Sequence, residues 1–161
     1  RATTIRAVAL GVDLICIPDS RTRRPMTSEQ PLAAAHAKVK TGKDFPRYVQ
    51  DIKRLGLAYY DFFVTDGHAE YVADSGEMIA SPAIYARKTI ATTPKADALR
   101  HIISIHQQGQ TDFETFCQQA ADAGVHYWRT DAVNLACIYV DMAGQDMVNE
   151  PIPDALGYES L

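Results

Sequence analysis

Residues 57–73 read LAYYDFFVTDGHAEYVA, two strand-like runs rich in aromatic residues and separated by Asp66-Gly67. Asp-Gly between two such runs is typical of a tight two-residue hairpin, because both turn positions need positive φ. Residues 125–141, VHYWRTDAVNLACIYVD, repeat the pattern 68 positions later. The second copy has asparagine and leucine at 134–135, and leucine fits positive φ poorly. The second turn is therefore predicted to be longer.

The 68-residue offset extends outward from these strands without a gap, from residue 44 to residue 79. Eight positions of the first copy recur unchanged in the second: Asp44, Phe45, Gln50, Gly56, Tyr59, Tyr71, Val72 and Gly76. In each copy the strands follow a stretch with apolar residues at helical spacing, which predicts a helix that ends at Gly56 or Gly124. Thr111 and Glu114 have the spacing of a capping box for the second of these helices.

A further helix is predicted before each unit, at 27–40 and at 94–108. The predicted fold class is α+β: two pseudo-repeats of a helix-helix-three-stranded meander, at about 27–81 and 95–149, packed around a shared core. This arrangement has antiparallel sheet and four helices. One unit alone would bury too little apolar surface to be stable, which is why a shared core is expected.

Composition and charge limit the domain organisation and the function classes. Residues 26–153 are predicted to form one domain, with a poorly ordered extension at 1–25 and a tail at 154–161. The extension holds five arginines against two aspartates in a chain of net charge −4, so the remainder is acidic and a nucleic-acid partner is not expected. The apolar runs are shorter than a membrane span needs. Three cysteines without a CxxC spacing favour a reduced, cytoplasmic location, and no cofactor or metal is expected.

Several short motifs are those of a known family. They are residues 106–113 (HQQGQTDF), Phe116-Cys117, Gly124-Val125, residues 128–131 (WRTD), Tyr59-Tyr60 and Asp66-Gly67-His68. From about residue 38 to 153 the sequence resembles the YbcV-like family of small bacterial and prophage-borne proteins, some of which carry the label phage envelope protein. The resemblance implies an α+β fold and leaves the activity open. An acidic domain without a membrane segment gives no support to the envelope label.

The candidate ligand site lies where the two copies are expected to meet. Strand alternation places Tyr59 and Asp61 on one face of the first copy, and Tyr127 and Arg129 on the equivalent face of the second. If a pseudo-twofold axis relates the copies, the two charges meet near it between the tyrosines. They form either a structural ion pair or the polar floor of a ligand cleft.

A catalytic alternative uses His68, Asp61, Arg129 and Asp131 in one cleft, with Asp66 orienting the imidazole of His68. The competing interpretation is that His68 is an exposed turn residue. The positions of the cysteines and histidines predict neither a reactive thiol nor a zinc site. Cys117 lies on an apolar helix stripe, where a buried thiol is inert. His101 and His106 do not share a helix face as a zinc pair would.

The favoured function is therefore that of an uncharacterised, prophage-associated accessory protein. It is a non-catalytic binding protein for a small ligand or a protein or peptide partner, with a homodimer as one expected assembly. The alternative is a small metal-independent enzyme with a cleft between the repeats. No catalytic motif of high specificity occurs in the sequence, which favours the binding interpretation over the enzyme.

Overall fold

The computed structural model of the chain describes residues 45–153 and, outside that range, the backbone of two short strands. The helices are α1 (Phe45–Arg54), α2 (Ala96–Gln107) and α3 (Phe113–Asp122). The strands are β1 (Ile5–Ala7), β2 (Val12–Cys16), β3 (Leu57–Phe63), β4 (Ala69–Ala73), β5 (Met78–Ala80), β6 (Val125–Asp131), β7 (Ala136–Asp141) and β8 (Asp146–Pro151).

The strands form one antiparallel sheet in the order β1-β2-β5-β4-β3-β6-β7-β8. Among the six strands from β3 to β8 the central pair is β3 with β6, and in their register Asp61 lies opposite Arg129 and Phe62 lies opposite Trp128. Because side chains alternate between the two faces of a strand, these two pairs belong to opposite faces of the sheet. The centre of the sheet is thus built from two segments that are distant in sequence.

The three helices lie on the face of the sheet that carries Phe62 and Trp128. The ring of Phe62 stacks on Trp128 with 4.4 Å between centroids, and Phe113 and Phe116 of α3 contact the same indole. Tyr48 of α1 reaches the neighbouring half of the sheet, and α2 packs against α3 and β8. Burial of these side chains places the hydrophobic core between the helices and this face.

The predicted arrangement of two helix-helix-meander units with four helices was wrong. Residues 45–153 contain three helices, and within that range only the second meander is preceded by a helix pair. The six strands from β3 to β8 form one continuous antiparallel sheet, because β3 and β6 pair edge to edge instead of belonging to two separately packed units. The helix predicted at 27–40 and the tail at 154–161 lie outside the described residues. The domain boundaries remain predictions.

The first hairpin turn also differs from its prediction. Residues 64–68 join β3 to β4. The Phe63 N–H donates to the His68 carbonyl at 2.9 Å, and the Gly67 N–H donates to the Phe63 carbonyl at 2.8 Å, which closes a loop of residues 64–67. Only Gly67 of this loop has positive φ, so the tight two-residue turn at Asp66-Gly67 was wrong. The second turn spans residues 132–135 and is longer than two residues, as predicted, with Leu135 itself at φ 52°.

Helix α3 is held at both ends by hydrogen bonds that its own turns cannot supply. The Asp112 side chain accepts the Thr115 N–H at 2.7 Å, so the cap is Asp112, and the predicted capping box of Thr111 and Glu114 was wrong. At the other end, the Ala91 and Lys95 N–H groups donate to carbonyls of the last turn, each at 2.9 Å. These bonds satisfy carbonyls that a helix end leaves without partners and dock residues 91–95 there.

His106 links α2 to the start of α3 and makes stability depend on pH. Its ring stacks on Phe116, and its Nδ1 lies 3.1 Å from both the carbonyl and the hydroxyl oxygen of Thr111. Burial lowers the pKa of His106 more than the Thr111 carbonyl and nearby Asp112 raise it. The unfolded chain, with a histidine pKa of about 6.5, therefore takes up a proton before the folded protein does.

Stability is accordingly expected to fall as the pH drops through about 6.5 toward the lowered pKa of the folded protein. The contribution of His106 is full above that window and lost below it. Urea unfolding of the protein and of His106→Gln at pH 7.5 and pH 5.5 measures it. The loss of stability between the two pH values should be smaller in the variant, and an equal loss in both would contradict the assignment.

Candidate functional site

The face of the sheet opposite the helices, here termed the open face, carries the residues of the candidate site. On β3, β4 and β6, side chains that point away from the core alternate with those that point into it. The side chains on the outer face, together with the neighbouring His68, are Tyr59, Asp61, Phe63, His68, Glu70, Val72, Tyr127, Arg129 and Asp131. None of the helices within residues 45–153 packs its aromatic side chains on these residues. The open face is thus the one aromatic surface of the described sheet that lies outside the core.

Asp61 and Arg129 form a bidentate ion pair at the centre of the open face. Arg129 Nε donates to Asp61 Oδ1 and Arg129 Nη2 donates to Asp61 Oδ2, both at 2.7 Å. The fork geometry of guanidinium and carboxylate makes this one of the stronger kinds of hydrogen-bonded pair. The Asp61 side chain is 11% exposed, whereas the Arg129 side chain is 37% exposed. The pair therefore presents the guanidinium, rather than the carboxylate, to the outside.

Aromatic rings frame this ion pair. The Arg129 Cζ lies 4.1 Å from the ring centroid of Tyr59, which is a cation–π contact. Tyr127 precedes Arg129 by two residues on the same face, and its ring lies 5.5 Å from that of Phe63. The hydrogen bonds to Asp61 raise the pKa of Arg129 further above its ordinary value, so that the guanidinium stays charged. The result is a fixed cation, already neutralised on one side, among half-exposed rings.

Removing one partner of the ion pair is expected to cost more than removing both. In Arg129→Met the methionine keeps an alkyl chain on Tyr59, but Asp61 remains buried without its guanidinium, which should cost about 2 kcal/mol of unfolding free energy. The cost is smaller than that of breaking a fully buried pair, because water reaches Arg129. The double variant Asp61→Leu/Arg129→Met should recover most of the loss, since the unpaired charge is gone.

Urea unfolding of the two single variants and the double variant gives the coupling free energy between Asp61 and Arg129. The methionine and leucine side chains leave the aromatic contacts of the opposite face untouched. Strictly additive losses in the double variant would show that the pair does not act as a unit.

His68 lies on the open face as well, next to the first hairpin loop. Its ring is parallel to that of Phe63, with 4.4 Å between centroids, and its Nδ1 lies 2.5 Å from Asp66 Oδ1. Partial burial alone would raise the pKa of Asp66, but the hydrogen bonds from His68 and the charge of Arg87 lower it. Asp66 is therefore ionised and orients the imidazole, as the catalytic alternative requires.

Asp131 has a structural role in the turn after β6. Its Oδ1 accepts the N–H groups of Val133 and Asn134 at 2.9 and 2.8 Å, and its Oδ2 accepts from the Asn134 amide. Burial acts to raise the pKa of Asp131, and these hydrogen bonds lower it below its ordinary value. With its oxygens engaged in the turn, Asp131 is poorly placed to act as an acid or base.

The predicted site residues thus fall into two groups. Tyr59, Asp61, Tyr127 and Arg129 are brought together on the open face, with the two charges in direct contact. Of the four candidates for catalysis, Asp61 and Arg129 neutralise each other and Asp131 caps a turn, which leaves His68 as the side chain with acid-base capacity. Their role in binding or catalysis remains a prediction.

Glu70 is a candidate that the sequence reasoning did not single out. It lies on β4 directly opposite Asp61 and is half-buried. The alternation of β4, with Ala69 and Tyr71 toward the core, was the available signal, because it places Glu70 on the same face as His68. That signal becomes specific only when the register of β3 and β4 is known.

Other kinds of site find little support in the described part of the chain. Within it, no three histidine, cysteine, aspartate or glutamate side chains are grouped to hold a metal ion. Cys117 and Cys137 are buried, and burial raises the pKa of each thiol to about 12, so neither is a reactive thiolate. His101 is exposed, whereas His106 packs on Phe116. Among the described helices, none is both long and apolar enough to cross a bilayer.

These features define an α+β protein with helices on one face of an antiparallel sheet and an aromatic surface with an ion pair on the other. A comparison with family models assigns the protein to a family: residues 33–151 match DUF1398, described as a protein of unknown function. Because the match covers most of the chain, the protein belongs to the DUF1398 family. A comparison with curated proteins gave no match.

Proposed function

We propose that this protein is a non-catalytic binding protein that holds a small ligand or a peptide on its open face. The observation that carries the proposal is the Asp61–Arg129 pair, stacked on Tyr59 and placed away from the hydrophobic core. A buried ion pair adds little net stability compared with a well-packed apolar pair. Stability alone is thus a weak reason for such a pair at the centre of the sheet, whereas recognition of a polar ligand among rings is a good one.

The biological setting that fits this function is that of a prophage-associated accessory protein of the YbcV-like kind, located in the cytoplasm. The motifs at residues 106–113 and 128–131 support the family resemblance, and Trp128 and Arg129 of the second motif lie on β6, which pairs with β3. The ligand or protein partner is unknown, and a homodimer is one expected assembly of the chain.

Two-dimensional NMR of the ¹⁵N-labelled protein tests the binding site directly. The probes are benzoate, benzylamine and indole, which present an aromatic ring with negative, positive and no charge. At least one of them is expected to shift the backbone amide signals of Tyr59, Asp61, Tyr127 and Arg129, because rings and charge meet there. The double variant Tyr59→Ala/Tyr127→Ala should lose these shifts and remain folded, since both side chains are outside the core.

His101→Ala is the matched control, because His101 is exposed on α2 on the opposite side of the sheet. It should respond to the probes as the unmodified protein does. Shifts confined to other parts of the protein, or no shift of the open-face amides with any probe, would contradict the proposal.

The second candidate function is a metal-independent enzyme that uses His68. The contact of its Nδ1 with Asp66 and its stacking on Phe63 favour this candidate, because an oriented imidazole is the usual general base in proteins. The test is hydrolysis of p-nitrophenyl acetate at a rate above that of free imidazole. If His68→Gln loses this activity and Arg129→Met keeps it, the function is catalysis rather than binding. Equal rates for the protein and His68→Gln would remove this candidate.

A further inference from the structure

We infer that the open face docks a basic peptide segment of a partner protein, with a lysine or arginine side chain of that segment paired to Glu70. This inference rests on the proposed binding function and adds the chemistry of the partner. It is carried by the charge of the open face and by the rings around Glu70.

The charges on the open face are unequal. Along one cross-strand row the register places Ala80, Glu70, Asp61, Arg129 and Ile138 side by side. Arg129 is committed to Asp61 by two hydrogen bonds, so it does not neutralise the next carboxylate in the row. Among residues 45–153, no ion pair is formed by Glu70. Glu70 is thus a half-buried carboxylate that no cation of the described range pairs with, and a cation supplied by a partner protein would neutralise it.

The surroundings of Glu70 suit the stem of a long basic side chain. Tyr59 and Phe63 are its diagonal neighbours on β3, at a separation that long side chains can bridge. The small side chain of Ala80 lies on its other side. Lysine and arginine bury their alkyl stems on apolar surface while their charged ends keep a polar partner. Rings beside a carboxylate thus offer both cation–π and ionic contacts to one cationic group.

The same charges disfavour other occupants. Asp61, Glu70 and Asp131 outnumber Arg129 on the open face, and the chain as a whole has a net charge of −4. Phosphate backbones would be repelled from such a surface. A second copy of this chain would bring the same excess of carboxylates to the interface if its open face were used. A basic peptide instead has the complementary charge.

Fluorescence anisotropy with a labelled nonapeptide of alternating arginine and glycine tests the inference. The matched ligand is the same peptide with citrulline for arginine, which keeps the shape and removes the charge. The arginine peptide should bind, and the citrulline peptide should bind at least about tenfold more weakly, as expected when a charged hydrogen bond is lost. Glu70→Gln should weaken the arginine peptide by a similar factor.

Glu114→Gln is the matched control variant, because Glu114 is an exposed carboxylate on α3, on the helical side of the sheet. It should leave the affinity for the arginine peptide unchanged. Equal affinity for the two peptides, equal loss in the two variants, or tighter binding of a polyuridine oligonucleotide would overturn the inference. So would a concentration-dependent dimer that Tyr59→Ala dissociates while the arginine peptide does not bind.

The outcome is separable from that of the proposed function. If indole or benzoate shifts the amides of Tyr59 and Tyr127 while the arginine peptide fails to bind, the open face is a binding site and the basic partner is wrong. If none of the probes or peptides affects those amides, both are wrong.

Discussion

Trp128→Ala is expected to lose about 3–5 kcal/mol of unfolding free energy, the largest effect of the substitutions considered for this protein. Trp128 is 7% exposed and contacts four aromatic rings: Phe62 of β3, Phe113 and Phe116 of α3, and Tyr139 of β7. Truncation to alanine would remove these contacts and leave a cavity between the sheet and α3, which the surrounding structure can close only in part.

Urea unfolding followed by circular dichroism measures this loss, since the substitution removes the single tryptophan that fluorescence would use. Trp128→Phe is the companion variant, because a smaller ring keeps part of the stacking on Phe62. It should lose markedly less than the alanine variant. Met142→Ala, at a residue 56% exposed, should be close to neutral. A loss below about 1 kcal/mol for Trp128→Ala would mean that the pairing of β3 and β6 does not form the core described above.

Gly124→Ala is expected to lose about 2–4 kcal/mol, for a different reason. Gly124 has φ +92°, a conformation that costs an L-residue about 1–2 kcal/mol. An added Cβ would also lie 3.0 Å from Pro94 Cα and 3.2 Å from the carbonyl oxygens of Ala91 and Thr93. These are backbone atoms of the segment docked on α3, so they can make room for the Cβ only if that segment moves. Overpacking of this kind costs about 1–3 kcal/mol.

Gly56 is the matched control for Gly124, because it is the equivalent position 68 residues earlier. Its φ is +86°, but an added Cβ would meet no atom within 4 Å. Gly56→Ala should therefore show only the conformational cost, partly offset by the reduced freedom of the unfolded chain. Urea unfolding of both variants separates the two costs, and an equal loss in the two would show that the segment 91–95 does not restrain Gly124.

Stability and binding should respond to different substitutions, because the core residues of β3 and β6 and the residues proposed to bind a ligand lie on opposite faces of the sheet. Trp128 and Phe62 point into the core, whereas Tyr59 and Tyr127 belong to the open face. Variants of the second pair should change ligand binding at nearly constant stability. The Asp61–Arg129 pair is the expected exception: because it is half-buried, its single variants should lose stability as well as ligand binding.

Local features were predictable where neighbouring residues decide them. The helical stretches around Phe45, Leu99 and Phe116 follow from apolar spacing, and Gly56 and Gly124 have the positive φ expected of helix-ending residues. The contact between Asp61 and Arg129 was also expected, from strand alternation and the 68-residue offset. In each case the signal lies within one element or in the comparison of two equivalent positions.

Turn details were less predictable, because side chains compete with the backbone for the same hydrogen bonds. Asp66-Gly67 is a typical two-residue turn sequence, yet Asp66 uses its carboxylate for His68, and the loop closes over four residues instead. Similarly, Asp112 rather than Thr111 caps α3, while Thr111 is engaged by His106. Such choices depend on which partner the tertiary structure brings within reach.

The sequence by itself determined the local elements, the positions of glycines at helix ends, and the alternation that places rings and charges together on one face of each strand. Only the tertiary structure decided that β3 pairs with β6, so that the sheet is continuous, and that Glu70 lies beside Asp61. The physical reason is that local elements are set by spacing and by conformational preference over a few residues. Pairing between strands 68 residues apart depends instead on how all the elements bury their apolar faces together.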